Sequence, residues 1–136
     1  MVNPVIIVPY DPIWPKDFVQ IRDEIAMALG PTALEIEHIG STAVPGLAAK
    51  PIIDIDVVIP TESALSLVIS KLSQLGYSYE GEKGIEGRHA FAQPSRLPTH
   101  HLYVCAAGNP ELRRHLAFRD YLRANPDAAR NYGLLK

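Results

Sequence analysis

Residues 38–59, HIGSTAVPGLAAKPIIDIDVVI, carry the strongest structural signal in the chain. Gly40 can take the positive φ angle of a tight turn, and the hydroxyl groups of Ser41 and Thr42 follow it directly. Such a turn offers hydroxyl and backbone N–H donors to a phosphate group. Proline and glycine break the chain again at residues 45–46, and the pattern then predicts a short helical or turned piece over residues 47–50.

The apolar run between Pro51 and Pro60 predicts a β-strand that is covered on both faces. Asp54 and Asp56 lie two residues apart in this run, so their side chains share one face, with Cα atoms roughly 6–7 Å apart. Two carboxylates on an apolar strand are costly to bury unless a positive charge lies between them. Hard oxygen ligands without a nearby thiolate favour Mg²⁺ or Mn²⁺. The alternative is that one aspartate caps a turn or pairs with an arginine while the other is solvated.

The spacing of Gly40-Ser41, twelve residues, then Asp54-Ile55-Asp56 resembles the signature of the nucleotidyltransferase superfamily, which includes polymerase-beta-like and antibiotic-adenylylating enzymes. More narrowly, residues 37–55 closely resemble the GrpB family of bacterial proteins. This second resemblance covers nearly the whole chain, since it extends to residues 8–15, 99–102 and 116–123. It implies a nucleotidyltransferase-like fold more strongly than it implies a reaction.

The sequence departs from the pattern that this resemblance implies at two places. Catalytic nucleotidyltransferases place a third carboxylate on a strand beside the aspartate pair, and no such carboxylate is evident here. If the predicted strand 99–106 lies beside residues 52–58, His101 occupies that place, which puts ordinary two-metal catalysis in doubt. Members of the similar family continue beyond residue 136, so the chain is expected to be shortened at its C-terminus. Part of the helical wall is then missing or is supplied by another subunit of a homo-oligomer.

Length and composition predict one domain over residues 1–136. No apolar run approaches the length of a membrane span and the N-terminus has no leader, so a cytoplasmic protein without membrane partners is expected. The formal net charge of −2 gives no strong signal for nucleic acid. Residues 111–136 carry six basic and three acidic side chains. This basic segment either faces a phosphate-bearing ligand or is a solvated helical face. The single Cys105 is expected to be a small core residue.

The remaining pattern predicts an α/β or α+β fold, with a mixed β-sheet and helices mainly on one side. An apolar stripe predicts a helix from Pro15 to Gly30, and another helix is expected after Thr61. On the helix that opens at residues 109–111, Phe118 and Tyr121 are expected beside inward-facing leucines, and a last helix runs from 126 to 136. Strands are expected at residues 5–8, 34–39, 77–80, 88–93 and 99–106.

Several further side chains are candidates with two interpretations each. His100 and His101 lie on opposite faces of their strand, so one is expected inside and one outside. Arg119 and Arg123, one helical turn apart, either reach a phosphate together or pair with neighbouring acids. His38 either hydrogen-bonds a ligand phosphate or is a structural histidine bonded to the backbone.

The sharper functional hypothesis is metal-dependent transfer of a nucleoside monophosphate from a nucleoside triphosphate to an unknown acceptor. The predicted residues are Asp54 and Asp56 for catalysis and Mg²⁺ or Mn²⁺, Gly40, Ser41 and Thr42 for the β and γ phosphates, Lys50 or Arg119 for the departing pyrophosphate, and His101 beside the substrate. The rival hypothesis is a nucleotide or phosphometabolite binding module without catalysis. A third is a hydrolase that uses His100 or His101 with a transition metal.

Overall fold

A mixed β-sheet organises the computed structural model, which describes residues 6–134. The helices and strands of this part of the chain follow in the order α1 (Ile13–Leu29), β1 (Glu35–Ile39), β2 (Ile53–Ile59), α2 (Leu65–Gln74), β3 (Ser78–Tyr79), β4 (His89–Ala92), β5 (His100–Ala106), α3 (Pro110–Ala124) and α4 (Pro126–Leu134). Short 3₁₀ turns lie at Gly30–Thr32, Ser41–Ala43 and Glu62–Ala64. The predicted α/β class is confirmed.

The order of the strands across the sheet is β1-β2-β5-β4-β3. β2 and β5 run parallel, whereas each other neighbouring pair is antiparallel. In the parallel register Asp54 lies beside His101, and Asp56 lies beside Tyr103. The sequence-based condition that strand 99–106 lies next to the aspartate strand is therefore met.

The two faces of β2 have different environments because its side chains alternate. Ile53, Ile55, Val57 and Ile59 pack into the main core with the apolar stripe of α1 and with Val68 and Leu72 of α2. Asp54, Asp56 and Val58 project to the opposite face, which α3 crosses. There Val58, Leu112 and the buried Cys105 form a second cluster, so the prediction that Cys105 is a core residue is confirmed. None of the described helices is both long and apolar enough to cross a membrane.

In the N-terminal half the first predicted helix is present with an earlier start, and one other local prediction was wrong. The first helix begins at Ile13, two residues before the predicted Pro15, because the Asp11 carboxylate accepts a hydrogen bond of 2.9 Å from the Ile13 backbone N–H. Residues 47–50 form neither a helix nor a turn of their own, and Ala49 exchanges two backbone hydrogen bonds with Val8. Residue 5, where an arm or strand was predicted to begin, lies outside the described residues.

The C-terminal helices confirm one prediction and correct another. Asn109 caps α3, since its side-chain oxygen accepts hydrogen bonds from the backbone N–H groups of Glu111 and Leu112. Phe118 and Tyr121, however, do not pack inward. They remain 48% and 56% exposed and line an open cavity together with the sheet residues Asp54, His101 and Tyr103.

Candidate functional site

The turn after β1 lies directly against the aspartate strand. Gly40 has φ 75° and ψ −172°, a conformation that is essentially confined to glycine. A Cβ atom at this position would lie 2.6 Å from Oδ2 of Asp54. The glycine therefore allows the backbone of the predicted phosphate-binding turn to approach the carboxylate closely.

A cavity of about 590 Å³ opens at this junction, and we call it the polar cleft. It is lined by Ser41, Thr42, Lys50, Asp54 and His101, together with Ile7, Ala49, Ile52 and Tyr132. Five of the predicted site residues thus surround one space although they come from three separate segments of the chain. A lining that combines hydroxyl groups, a lysine and a carboxylate is a suitable environment for a phosphate chain accompanied by a cation.

Each of the two aspartates is paired with a histidine. Asp54 Oδ1 lies 2.9 Å from His101 Nδ1, and this hydrogen bond raises the pKa of His101. Asp56 Oδ2 lies 2.7 Å from His115 Nδ1, and this bond likewise raises the pKa of His115. Burial raises the pKa of Asp56, whose side chain is 2% exposed. The groups that the structure places beside the two carboxylates are therefore imidazoles, whose protonated forms the carboxylates favour.

The oxygen donors of this site suit a cation whose coordination shell is completed by a substrate. Within residues 6–134 no group of three or more His, Cys, Asp or Glu side chains is placed to hold a metal ion. Asp54 and Asp56 nevertheless offer hard oxygen donors, and the buried Oδ1 of Asp56 has no hydrogen-bond partner within the described structure. Mg²⁺ commonly binds through one or two carboxylates together with water and substrate phosphates. Asp54 lines the polar cleft and could bind such an ion there, whereas Asp56 is buried and does not line this cleft, so its oxygen could take part only if the ion lay between the two carboxylates.

His115 was missed by the sequence analysis. It lies one helical turn before Arg119 on α3, so the same stripe that drew attention to Arg119 and Arg123 also carries this histidine. The spacing was therefore a usable signal. Its contact with Asp56 joins residues 59 positions apart and depends on how α3 crosses the sheet.

Arg119 and Arg123 hold α3 against the rest of the site. Arg119 Nη1 donates hydrogen bonds to Glu37 Oε2 at 2.6 Å and to the His38 carbonyl at 3.1 Å, and its Nε pairs with Asp120. Arg123 Nε donates to the carbonyl oxygen of Ala43. Arg119 therefore pairs with acidic side chains, which was one of the two predicted alternatives. A role for Arg119 in neutralising pyrophosphate stays a prediction.

His38 is a structural histidine, although its partner is a side chain and not the backbone. The antiparallel register of β1 turns it towards α1, where its ring stacks on Phe18 at a centroid distance of 4.8 Å. Its Nε2 lies 2.9 Å from the hydroxyl oxygen of Thr42. Burial, reinforced by the charges of Arg123 and Arg119, lowers the pKa of His38 to about 4. A neutral His38 thus stabilises the Gly40 turn through its hydrogen bond with Thr42.

The low pKa of His38 predicts a loss of stability in acid. The unfolded chain takes up this proton near pH 6.5, whereas the folded protein does so only near pH 4. The contribution of His38 is therefore fully present above pH 6.5 and declines as the pH falls towards 4. NMR titration of the imidazole resonances should show His38 titrating near 4, with His101 and His115 titrating above the ordinary value for histidine.

The matched control is His38→Gln, which keeps a hydrogen-bonding group near Thr42 but cannot titrate. Urea unfolding of both proteins between pH 7 and 4 should show a steeper decline of stability for the unsubstituted chain. Parallel declines in the two proteins would contradict the assignment of this proton to His38.

The family model and the similar proteins all indicate the same family. The family model described as GrpB protein matches residues 4–136. UPF0157 protein YqkA of Bacillus subtilis is 40% identical over 130 residues, which are 96% of this chain and 38% of that protein. The crystal structure of conserved protein GrpB from Enterococcus faecalis has 40% identity and a TM-score of 0.86, with 96% of this chain and 79% of that chain covered.

A more distant similarity concerns the fold alone. Cid1 poly(U) polymerase, in a structure with MgGTP bound, superposes with a TM-score of 0.58 at 12% identity, covering 85% of this chain and 39% of that chain. This chain spans well under half of the curated Bacillus relative. The sequence therefore belongs to the GrpB family and has a nucleotidyltransferase-like fold.

Proposed function

We propose that the polar cleft binds a nucleoside triphosphate together with Mg²⁺ or Mn²⁺, and that the chain transfers the nucleoside monophosphate to an acceptor. The observation that carries this proposal is the convergence of the Gly40 turn, Lys50 and Asp54 on one cavity. The structural similarity to Cid1 poly(U) polymerase, whose structure has MgGTP bound, supports the same class of substrate.

In the proposed reaction an acceptor atom forms a bond to the α-phosphorus while the bond between that phosphorus and the oxygen bridging to the β-phosphate breaks. Pyrophosphate leaves with the bridging oxygen, and the acceptor gives up its proton to solvent. Ser41 and the backbone N–H groups of its turn bind the β and γ phosphates, and the Lys50 ammonium stabilises the charge that develops on the leaving group. Asp54 and Asp56 would hold the cation, which would neutralise phosphate charge when bound. His101 orients the Asp54 carboxylate through their hydrogen bond.

The first test is calorimetric titration of nonhydrolysable UTP, ATP and GTP analogues with Mg²⁺. We expect Lys50→Met to weaken binding about tenfold, corresponding to about 1.4 kcal/mol, because one charge-assisted phosphate contact is lost. Lys71→Met, at an exposed position on α2, serves as the matched control and should leave binding unchanged. Failure of the unsubstituted chain to bind any analogue, or equal affinities for the two lysine variants, would reject the proposed site.

The second candidate function is a nucleotide or phosphometabolite binding module without catalysis. It is favoured by one observation, namely that a histidine and not a carboxylate stands beside Asp54 on β5. Release of pyrophosphate from labelled triphosphates in Mg²⁺ or Mn²⁺ separates the two. Release that disappears in Asp54→Asn supports transfer, whereas tight binding without release supports the binding module.

A further inference from the structure

We infer that the site has a second compartment that binds the acceptor, and that this acceptor carries both a planar ring and an anionic group. The inference rests on the proposed function and adds the chemical class of the acceptor. The compartment is a cavity of about 870 Å³, and we call it the aromatic lobe. The residues that line it include Arg88, Tyr103, Arg114, His115, Phe118 and Tyr121.

The aromatic lobe meets the polar cleft at the reacting centre. Asp54 and His101 line both cavities, so the two compartments share a wall at the carboxylate that faces the Gly40 turn. Groups bound in the two cavities would therefore approach each other beside Asp54. This arrangement is the one that a transfer between two bound substrates needs, because the reacting atoms must be held close together.

The exposed aromatic side chains are the reason to expect a planar ring on the acceptor. Phe118 and Tyr121 lie on α3 and are about half exposed, while Tyr103 contributes a third ring from β5. Phe118 is held edge-on by Tyr132 at a centroid distance of 5.2 Å, so its position is defined although the core does not bury it. Aromatic surfaces on both walls of a cavity suit stacking with a planar ring, which contributes about 1–3 kcal/mol per base in single-stranded nucleic acid sites.

The environment of Arg88 is the reason to expect an anionic group on the acceptor. Its guanidinium carbon lies 4.4 Å from the centroid of Tyr103, and its buried Nε has no hydrogen-bond partner within residues 6–134. No carboxylate of the described chain forms an ion pair with it, whereas Arg114 pairs with Glu111 and Arg119 pairs with Glu37. The charge of Arg88 acts on the buried Asp56, whose pKa it lowers against the larger effect of burial, but its guanidinium lines the cavity without an ion pair, and a phosphate or carboxylate of a ligand would supply one.

The charge distribution assigns the aromatic lobe to the acceptor and not to the nucleoside of the triphosphate. The nucleoside part of a triphosphate is uncharged, and its three phosphates are accounted for by the polar cleft. An unpaired arginine in the second compartment therefore calls for a second anion. In-line displacement also requires the acceptor to attack from the side opposite to the departing pyrophosphate, and the aromatic lobe lies across Asp54 from the polar cleft.

The test uses nucleoside 5′-monophosphates as probes that combine a ring with an anionic group. Adenosine lacks the anion and ribose 5-phosphate lacks the ring, so calorimetry with these two and with AMP, GMP, UMP and CMP separates the contributions. We expect at least one monophosphate to bind at least tenfold more tightly than either fragment. Arg88→Gln should weaken its binding about tenfold and leave adenosine unaffected, and Tyr121→Ala should weaken both.

The controls distinguish this inference from the proposed function. Arg130→Gln removes an exposed arginine on α4 and should change nothing, and Lys50→Met should weaken the triphosphate analogue but not the monophosphate. Absence of monophosphate binding, or competition between monophosphate and triphosphate analogue for one site, would overturn the acceptor assignment while leaving the polar cleft intact. Arg88-dependent monophosphate binding without triphosphate binding would instead reject the proposed transfer and support the aromatic lobe as a separate site.

Discussion

Replacement of Gly40 by alanine is expected to lower the free energy of unfolding by about 3 kcal/mol, because conformational strain and overpacking each cost about 1–3 kcal/mol. The backbone at φ 75° and ψ −172° is strained for any residue with a Cβ atom. The added methyl group would also lie 2.6 Å from Oδ2 of Asp54, so the turn or the carboxylate must move. Urea denaturation followed by circular dichroism measures the loss.

Gly46→Ala is the matched control for this substitution. Gly46 also has a positive φ of 83°, but an added methyl group there would meet no atom of another part of the chain within 4 Å. It should therefore lose only the conformational contribution of about 1–2 kcal/mol. The difference between the two alanine variants measures the contact with Asp54 and should shrink when Asp54→Ala is combined with Gly40→Ala. Equal losses at both glycines would show that the close approach to Asp54 has no energetic consequence.

Much of the fold was predictable because local chemistry specifies it. Asn109-Pro110-Glu111 combines a capping amide, a proline for the first turn and an early acid, and α3 begins there as expected. The alternation around Asp54 and Asp56 fixes their common face without any knowledge of the rest of the chain. The assignment of His101 to the place beside Asp54 needed one further assumption about strand order, and that assumption was correct.

The parts of the inferred aromatic lobe that the sequence did not indicate depend on distant packing. Arg88 follows a loop that the sequence marks only as glycine-rich and charged, and nothing near it in sequence indicates that Tyr103 will lie beneath its guanidinium. The exposure of Phe118 and Tyr121 could not be read from helical periodicity, because whether a side chain beside the buried leucines is covered depends on the elements that pack around α3. Contacts between separate elements are set by crossing geometry, which periodicity alone does not determine.

The second large effect is expected at Arg119. Its side chain is 12% exposed and its partner Glu37 is 21% exposed, so Arg119→Gln leaves a largely buried carboxylate without its cation. Burial raises the pKa of Glu37, but side-chain hydrogen bonds with Arg119 and Glu35 outweigh it and hold this pKa below its ordinary value. We expect the free energy of unfolding to fall by about 2 kcal/mol, between the values typical of exposed and fully buried pairs. Urea denaturation at pH 7 measures this loss.

The same variant shows whether the main role of Arg119 is to hold α3 against β1 or to bind phosphate. Arg130→Gln breaks a solvent-exposed pair with Asp127 and should cost less than about 0.5 kcal/mol, which makes it the control for stability. If Arg119 chiefly holds α3 against β1, the folded Arg119→Gln protein should bind the triphosphate analogue within about twofold of the unsubstituted chain, while Lys50→Met does not. Unchanged stability together with lost affinity would instead assign the guanidinium to the phosphate site, since its bonds to Glu37 would then contribute little to the fold.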